Sequence, residues 1–410
     1  MAEAGAPRGP YVRGPYVRGT RRREQIVDAA RQLFVTEGYR AVSLRDIAAA
    51  AGLTHPGLLR HFAGKEAILD AVVDDLERAN HVWIDRQGGP LAPASMVELA
   101  EHNATIPGYV ALFTMLAGEA SSAHHPAHDR MRRRYEWLRE QNAAVLGRHV
   151  EDPRTEATRL AAVWDGLQLL SLYDPSIDVP SELARWLEAL LGGGRASRSS
   201  GRLARADSVT GAPVRGSVGT EPARVGSPAA GAKKALIIDR ATELFASRGF
   251  HETSLQDVAD AVGSSKSGLL YHFPTKEALL EAVLRRRDAG GLPGPGDGSG
   301  PADLGAAVEG LAGTVRDAPG LIEAHAVLCC EATAPDHPAH QYFRDRLSGT
   351  RTYVAAELAR AALRDGRQRS AATSFVALWE GLQFQWLYDR GAVDVPALLA
   401  GQLRRLGPVE

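Results

Sequence analysis

Cysteine, long apolar runs and a secretion signal are scarce or missing in this sequence. The 410 residues include two cysteines, Cys329 and Cys330, and neighbouring side chains on a helix point apart, so no disulfide is expected between them. No apolar run approaches the roughly 20 residues that a membrane-spanning helix needs. The N-terminus is rich in glycine, proline and arginine and has no apolar signal core. We therefore expect a cytoplasmic protein with free, buried thiols and no membrane partner.

Excess charge, β-type alternation and catalytic motifs are absent as well. Lys and Arg number 48 and Asp and Glu number 49, a net charge of −1, so any basic surface for nucleic acid has to be local. Apolar residues follow the period of helices, and alternating segments bounded by turns do not occur. We find no nucleophile elbow, phosphate loop or metal-ligand pattern. The sequence predicts an all-α fold without enzyme activity, cofactor or metal.

The sequence contains one unit twice. Residues 34–39 return as residues 245–250, and residues 57–62 return as residues 268–273, both at an offset of 211. Farther along, Trp-Asp-Gly-Leu-Gln at 164–168 matches Trp-Glu-Gly-Leu-Gln at 379–383. A unit of about 200 residues is the size of a domain or a domain pair. Two such copies on one chain indicate a fused dimer, and most homodimers join through a two-fold axis.

Each copy begins with a pattern of short helices. In the first copy Ile26 and Phe34 belong to one apolar stripe, and Gly38 ends that helix. Residues 43–46 read Ser-Leu-Arg-Asp, a capping box that opens a second helix, and Gly52 separates it from a third. This pattern is typical of a helix-turn-helix, in which the N-terminal residues of the last helix reach into the major groove of DNA.

The same segment carries a set of positions that repeats in the second copy, with Val258 for Ile47 and Val262 for Ala51. In the first copy the set is Phe34, Gly38, Tyr39, Ser43, Leu44, Ile47, Ala48, Ala51, Gly52, His61, Phe62, Lys65, Glu66 and Leu69. It resembles the DNA-binding domain of TetR/AcrR transcriptional regulators over about 20–80 and 231–285. The helical C-terminal halves are similar, less specifically, to that family's ligand-binding and dimerisation domain. The segments that begin at Trp164 and Trp379 resemble its penultimate helix, which in the family builds a four-helix dimer interface.

The resemblance implies two tandem units, each with a helix-turn-helix domain, called a head below, and a helical regulatory domain. A glycine- and serine-rich linker of about 40 residues would span roughly 35 Å, which permits pairing of the copies within one chain or between two chains. The predicted division is a flexible basic arm at 1–19, head one at 20–80, regulatory domain one at 81–191, the linker at 192–231, head two at 232–288 and regulatory domain two at 289–410.

The resemblance also implies that the third helix of each head contacts bases and that a lysine at the start of the fourth contacts phosphate. Polar side chains and arginine can bond base edges, and helix N-termini and lysine bind phosphate. Leu59 and Leu270 depart from the family, in which many members have a tyrosine whose hydroxyl reaches the DNA backbone. The predicted DNA-contacting residues are Arg45, Thr54, His55, Pro56, Arg60, His61, Lys65, Gln256, Ser265, Lys266, Ser267, Tyr271, His272 and Lys276.

The two heads differ from each other. Ten arginines and five acidic residues precede Lys65, whereas the matching segment of the second copy has five basic and five acidic residues. We expect head one to be the stronger non-specific binder. The arginines of the arm either enter a minor groove or belong to a solvated tail. Because the recognition helices also differ, the sequence predicts an asymmetric operator.

Several residues of the regulatory domains are candidates for other roles. Glu119 and Glu331 end apolar helices and would either recognise a cationic ligand or, the favoured alternative, bridge to Arg132 and Arg344. The histidine pairs after these glutamates have the i, i+3 spacing of a zinc site, but we favour helix-start chemistry. The candidate ligand-binding residues are Phe113, Glu119, Trp137, Trp164, Glu331, Phe343, Trp379 and Phe384.

The function expected from the sequence is that of a DNA-binding transcriptional regulator, most simply a ligand-responsive repressor. Its partners would be double-stranded DNA, an unidentified small-molecule effector, and either its own second copy or a second chain. One alternative is a regulator in which only head one binds DNA and the second copy serves as dimer partner. The other, from a different class, is an all-helical small-molecule-binding protein or enzyme.

Overall fold

A computed structural model describes residues 15–88, 92–192, 228–288, 304–360 and 367–406. In these ranges the protein has eighteen α-helices and no strand, which confirms the all-α prediction. Residues 1–14 of the predicted arm and residues 193–227 of the predicted linker lie outside the described ranges.

Nine helices form each copy. The first copy consists of α1 (Pro15–Glu37), α2 (Leu44–Ala50), α3 (His55–Leu59), α4 (Lys65–Arg86), α5 (Pro93–Thr105), α6 (Tyr109–Glu119), α7 (His128–Leu146), α8 (Pro153–Tyr173) and α9 (Val179–Leu190). The second consists of α10 (Pro228–Glu252), α11 (Leu255–Val262), α12 (Lys266–His272), α13 (Lys276–Asp288), α14 (Leu304–Asp317), α15 (Pro319–Glu331), α16 (His340–Arg360), α17 (Arg367–Tyr388) and α18 (Val395–Leu406).

Two helix starts differ from the sequence-based boundaries. The helix of head one begins at Pro15, inside the segment predicted to be a flexible arm, and the helix of head two begins at Pro228, inside the predicted linker. Proline is tolerated in the first turn of a helix, because its missing N–H would have no intrahelical acceptor there. The proline content of these segments therefore does not exclude a helix that starts at a proline.

Each head is built around one small apolar core. Ile26 and Phe34 of α1 are fully buried against Ile68 and Val72 of α4, and Leu58 anchors α3 to them. The equivalent residues of head two, among them Ile237, Phe245 and Leu269, are also fully buried. The third helix of each head has only one apolar face. Because that face packs on the core, the polar residues on its other face are exposed.

The two copies pack against each other within the chain, through α8 and α17. A Cβ on Gly166 would lie 1.9 Å from the Ala377 carbonyl oxygen, and a Cβ on Gly381 would lie 1.9 Å from the Ala162 carbonyl oxygen. Only glycine permits two helix backbones to approach this closely. The same close contact occurs twice, once from each copy, which is the signature of a two-fold axis.

The polar contacts across this interface also occur in pairs. Tyr173 Oη donates to the Cys329 carbonyl at 2.5 Å, and Tyr388 Oη donates to the Ala117 carbonyl at 3.1 Å. The corresponding ion pairs are Arg351–Asp174 at 2.6 Å and Arg139–Asp389 at 3.1 Å. The described residues of one chain thus form a pseudo-symmetric pair of copies. Neither cysteine forms a disulfide and both are buried at this interface, as the sequence predicted.

Candidate nucleic-acid interface

The second helix of each head begins with a complete capping box. Ser43 N donates to Asp46 Oδ2 at 2.8 Å, and Asp46 N donates back to Ser43 Oγ at 3.3 Å. Ser254 and Asp257 repeat both bonds in head two. The hydrogen bonds from the serine lower the pKa of Asp46 and of Asp257. These caps use two backbone N–H groups that the helix itself leaves without acceptors, and so fix where the helix starts.

A left-handed glycine turns the chain from the second helix into the third. Gly52 has φ of +64° and Gly263 has φ of +67°, a conformation that costs an L side chain free energy. Thr54 then caps α3 by accepting from Gly57 N at 3.2 Å, and Ser265 caps α12 by accepting from Gly268 N at 3.1 Å. Each hydroxyl oxygen thus accepts from its own helix, and the Ser265 hydroxyl also shares a hydrogen bond with the Ser267 hydroxyl at 3.0 Å.

The side chains predicted to contact bases lie together around these two tips. Those of head one that are exposed are Thr54, Pro56 and Arg60, with His55 and His61 half-buried. Those of head two are Ser265, Lys266, Ser267 and Tyr271, with His272 half-buried. Tyr271 is 85% exposed, far more than a tyrosine with a partner inside the protein. On the preceding helices, Arg45 and Gln256 are exposed, and Gln256 donates to Asp260 at 2.7 Å.

The two lysines predicted to contact phosphate are bonded inside their heads. Lys65 Nζ donates to the carbonyls of Tyr39, Arg40 and Val42 at 3.0, 3.2 and 2.9 Å. Lys276 Nζ repeats this with the Phe250 carbonyl at 3.0 Å. Burial lowers the pKa of both lysines. Because an ammonium group has three donors, these bonds give Lys65 a structural role, the closing of the turn after α1. The phosphate contact of the two lysines stays a prediction.

The sequence analysis counted Arg23 only among the basic residues before Lys65 and did not predict its contacts with the end of α3. Arg23 Nη1 donates to the His61 carbonyl at 2.9 Å, and its guanidinium lies 3.9 Å from the centroid of the Phe62 ring. Lys234 occupies the same place in head two, 5.4 Å from the Phe273 ring. A basic residue at equivalent positions of both copies, 211 residues apart, was the signal that could have identified this contact. It connects the first helix to the end of the recognition helix.

Glu119 and Glu331 lie where each head meets its regulatory domain. Glu331 accepts from Phe250 N at 2.7 Å and from His251 N at 2.9 Å, and burial raises its pKa to about 7. Glu119 Oε2 lies 3.7 Å from His125 Nε2. The predicted arginine bridges were wrong. Arg132 instead pairs with Glu136 at 2.7 Å and Asp129 at 3.6 Å, and Arg344 is exposed.

His251, Glu331 and His337 place one potential ligand atom each within 4.8 Å of one another. However, His337 Nδ1 accepts from Ala339 N at 3.1 Å, and His125 makes the same bond to Ala127. A neutral histidine that accepts at Nδ1 carries its proton on Nε2 and has no lone pair there for a metal. The residues therefore do not fit a metal, and the histidines serve the helix start.

The candidate ligand-binding residues separate into three groups. Trp137 and Trp164 line a cavity of about 780 Å³ in the first copy, and Phe113 is buried next to Tyr109, another lining residue. Glu119 and Glu331 line a small crevice that includes Arg40 of head one and Arg248 of head two. Phe343, Trp379 and Phe384 are buried in the core of the second copy. The structure thus brings two of the eight predicted residues to one cavity.

Known proteins match this chain over short segments. The profile of bacterial regulatory proteins of the tetR family matches residues 26–72 and 237–283. The HTH-type transcriptional regulator RutR of Escherichia coli K12 is 50% identical over 60 residues, which cover 15% of this chain and 28% of RutR. The HTH-type transcriptional repressor KstR2 of Rhodococcus jostii RHA1 is 41% identical over 49 residues, 12% of this chain and 24% of that protein. The biofilm operon icaADBC HTH-type negative transcriptional regulator IcaR of Staphylococcus aureus Newman is 42% identical over 49 residues, 12% and 26%.

The chain therefore matches about a quarter of the length of these relatives. The segments that the tetR-family profile matches lie within α1–α4 and α10–α13. Within the described residues, no helix combines the length and the apolar character that crossing a bilayer demands. Two profile matches at the spacing of the internal repeat agree with the paired heads. The chain carries, in tandem, two helix-turn-helix domains of the tetR family of bacterial regulatory proteins.

Proposed function

We propose that this chain is a transcriptional repressor that binds double-stranded DNA as a covalently fused pseudo-dimer. The observation that carries the proposal is the pairing of the two copies within one chain, through contacts that occur once from each copy. An isologous interface of this kind presents two recognition helices related by a two-fold axis, which suits two half-sites one helical turn apart. A protein with this role would work in the cytoplasm.

The operator is proposed to be asymmetric, since the two exposed tips differ in chemistry. Head one offers His55, Pro56 and Arg60, and head two offers Lys266, Ser267 and Tyr271 at the same positions. Arginine pairs bidentately with guanine, whereas tyrosine cannot, so the preferred bases at the two half-sites should differ.

The test is selection of bound duplexes from a random pool, followed by native mass measurement of the complex. We expect two unlike half-sites and one chain per operator. The selected half-sites are then exchanged in position, and also duplicated into two palindromes. Equal affinity for both palindromes and the parent would contradict an asymmetric operator, and two chains per site would contradict the fused pseudo-dimer.

A second candidate is a regulator in which head two serves only as internal partner. The observation that favours it is charge: the segment from Lys233 to Lys266 has equal numbers of basic and acidic residues. The double variant Lys266→Ala, Tyr271→Ala separates the candidates in a gel shift. A large loss of specific affinity supports two working heads, and no loss supports the second candidate. The matched control His55→Ala, Arg60→Ala removes the same positions of head one and should weaken binding in either case.

Regulation by a small molecule is proposed to act through the regulatory domains. An effector shifts DNA binding only if its affinity differs between the two arrangements of the heads. The crevice between the heads offers such a difference, because Arg40 Nη1 donates to the Ser247 carbonyl of head two at 2.5 Å and Arg40 Nη2 donates to the Glu119 carbonyl at 3.2 Å. A displacement of α6 would change the contact with Glu119 directly and, through Arg40, the link between the heads.

A further inference from the structure

The first copy contains a cavity large enough for a small organic molecule. It lies among α4, α5, α6, α7 and α8, with a volume of about 780 Å³. Ligand sites for drug-sized molecules range from about 300 to 1,000 Å³. Apolar side chains form part of the wall, and Trp137, at 42% exposure, stands at its surface. The apolar lining residues include Ile84, Met96, Leu99, Leu138 and Ala161.

Four polar atoms of the cavity wall are buried without a hydrogen-bond partner. They are Asp165 Oδ2, Asn103 Oδ1, Asn80 Oδ1 and Trp164 Nε1. The Tyr135 hydroxyl bonds the Asp165 carboxylate, but Oδ2 is left without a donor. A buried polar atom without a partner costs free energy that a ligand recovers when it supplies the missing group. A ligand that pairs with these atoms therefore needs donors for the carboxylate and amide oxygens and an acceptor for the Trp164 indole N–H.

Two of the three arginines of the same wall are already engaged by other carboxylates, and the third, Arg133, is exposed to solvent. Arg130 binds Asp74 at 2.7 Å and Glu77 at 2.6 Å, and Arg134 binds Glu77 at 3.3 Å. Burial raises the pKa of Asp165 to about 6 and outweighs the opposing attraction of Arg134. The lining has five carboxylates and three guanidinium groups, so it has a negative balance when all are ionised: Asp70, Asp74, Glu77, Asp129 and Asp165 against Arg130, Arg133 and Arg134.

In the second copy, the carboxylate at the position of Asp165 has a hydrogen-bond partner within the same copy. Glu380 stands at the position of Asp165, and its Oε2 lies 2.8 Å from His325 Nε2. Gln383 donates to the same oxygen at 3.0 Å. The position of His325 is Phe113 in the first copy, which cannot pair with a carboxylate. One carboxylate is thus satisfied internally, and the other faces a cavity.

Larger side chains also fill the second copy. Phe343 stands where the first copy has Met131, Phe375 where it has Leu160, and both phenylalanines are buried. Val354 replaces Asn142, one of the cavity-lining residues. The two copies of one ancestral unit have therefore diverged, one toward a packed core and one toward an open site.

We propose that the first copy binds an organic cation, one molecule per chain, with its ammonium donating to Asp165 and Asn103. An acceptor on the same ligand takes the Trp164 indole N–H, and the apolar body packs on Met96 and Leu99. The Trp137 ring offers a face that attracts a cation as it enters. The binding of this cation rests on the cavity alone. We also expect that binding releases the chain from DNA, and this part rests on the proposed function.

The test uses three probes with one ring, one ether acceptor and different head groups: 4-methoxyphenethylamine, 2-(4-methoxyphenyl)ethanol and 3-(4-methoxyphenyl)propionate. Titration calorimetry of the full chain at pH 7.5, with quenching of tryptophan fluorescence as a second readout, gives affinity and stoichiometry. We expect the amine to bind at least about tenfold more tightly than the alcohol, one per chain, because a charge-assisted bond is stronger than a neutral one. The propionate should bind more weakly than the alcohol.

Asp165→Asn keeps the shape of the side chain and removes its charge, so it should reduce amine affinity to that of the alcohol. The matched control is Glu380→Gln at the equivalent position of the second copy, which should leave amine affinity within about twofold of the parent. Should Asp165→Asn fail to fold by circular dichroism, Trp164→Phe removes the indole donor together with part of the ring surface and should weaken amine and alcohol alike.

Equal affinity for the three probes, tighter binding of the propionate, or two amines per chain would overturn the proposal. A gel shift on the selected operator, with and without the amine, separates the two proposals. If the chain binds the operator but not the amine, only the proposed cation site is overturned. If it binds the amine but selects no operator from the random pool, only the proposed repressor function is overturned.

Discussion

At the residue scale, two adjacent leucines of α3 differ in what they contribute. Leu58 is fully buried in the core of head one, and Leu59 is 42% exposed. Leu58→Ala should destabilise the head by about 2–5 kcal/mol, because it loses buried apolar surface and leaves a cavity. Leu59→Ala, the matched control, should change stability by less than about 0.5 kcal/mol.

Urea denaturation of both leucine variants, followed by circular dichroism, measures the difference. A similar loss from the two variants would show that the buried face of α3 is not the one assigned. Leu269 and Leu270 offer the same pair in head two and serve as an independent repeat.

The buried carboxyl of Glu331 predicts a pH dependence. Its pKa is raised by burial from 4.5 to about 7, so the folded chain binds a proton more tightly than the unfolded chain does. The resulting stability is fully present below pH 4.5 and is lost as pH rises through about 7. Hydrogen bonds from Phe250 N and His251 N and the charge of Arg40 favour the ionised form, and nearby Glu119 opposes it.

Glu331→Gln cannot ionise, so its free energy of unfolding should fall less than that of the parent chain between pH 5.5 and 8, by on the order of 1–3 kcal/mol. Denaturation at several pH values gives this slope. Glu252→Gln, an exposed carboxylate of the same turn, is the control and should follow the parent. Identical slopes for the parent and Glu331→Gln would contradict the raised pKa.

At the scale of elements, the crossing of α8 and α17 depends on the absence of side chains at two points. Gly381→Val would place its Cβ 1.9 Å from the Ala162 carbonyl, so the helices must separate. We expect a loss of stability of more than about 3 kcal/mol, or separation of the copies, since overpacking of this size cannot be relieved by a rotamer. Small-angle scattering and thermal denaturation measure the two effects.

The control for this element is Gly313→Ala in α14, where a Cβ would meet no atom within 4 Å. There the substitution should stabilise the chain by about 0.4–1 kcal/mol, because alanine restricts the unfolded state and favours helix. Unchanged dimensions and stability in Gly381→Val would mean that α8 and α17 do not form the interface between the copies.

At the scale of the whole molecule, basic residues exceed acidic ones most clearly in the segment that ends at the start of α4. Arg21→Ala combined with Arg22→Ala removes two exposed charges of α1. If both contact phosphate, the slope of log affinity against log salt should decrease in magnitude by about 1.8. Arg148→Ala combined with Arg154→Ala, in the regulatory domain, should leave the slope unchanged. Fluorescence anisotropy on one duplex between low and moderate salt measures both, and equal slopes for the two double variants would exclude the arginines from the DNA interface.

Much of the architecture could be predicted from the sequence because it is encoded in local pattern. The capping box at Ser43, the glycine turn at Gly52 and the apolar stripe through Ile26 each depend on residues a few positions apart. The same local patterns occur in both copies, so each predicted element of the heads was supported twice.

The sequence by itself determined a helical chain with two heads, the residues on each recognition tip and the chemical difference between the tips, since periodicity, caps and turns are properties of neighbouring residues. Only the tertiary structure decided which charges are free. Lys65 closes a turn, Glu331 accepts from the backbone, and Asp165 keeps one carboxylate oxygen without a donor, whereas its counterpart Glu380 pairs with His325. The physical reason is that a charged side chain takes its role from whichever groups packing brings within bonding distance, and those groups are 23 to 81 residues away in the cases of Lys65 and Glu331.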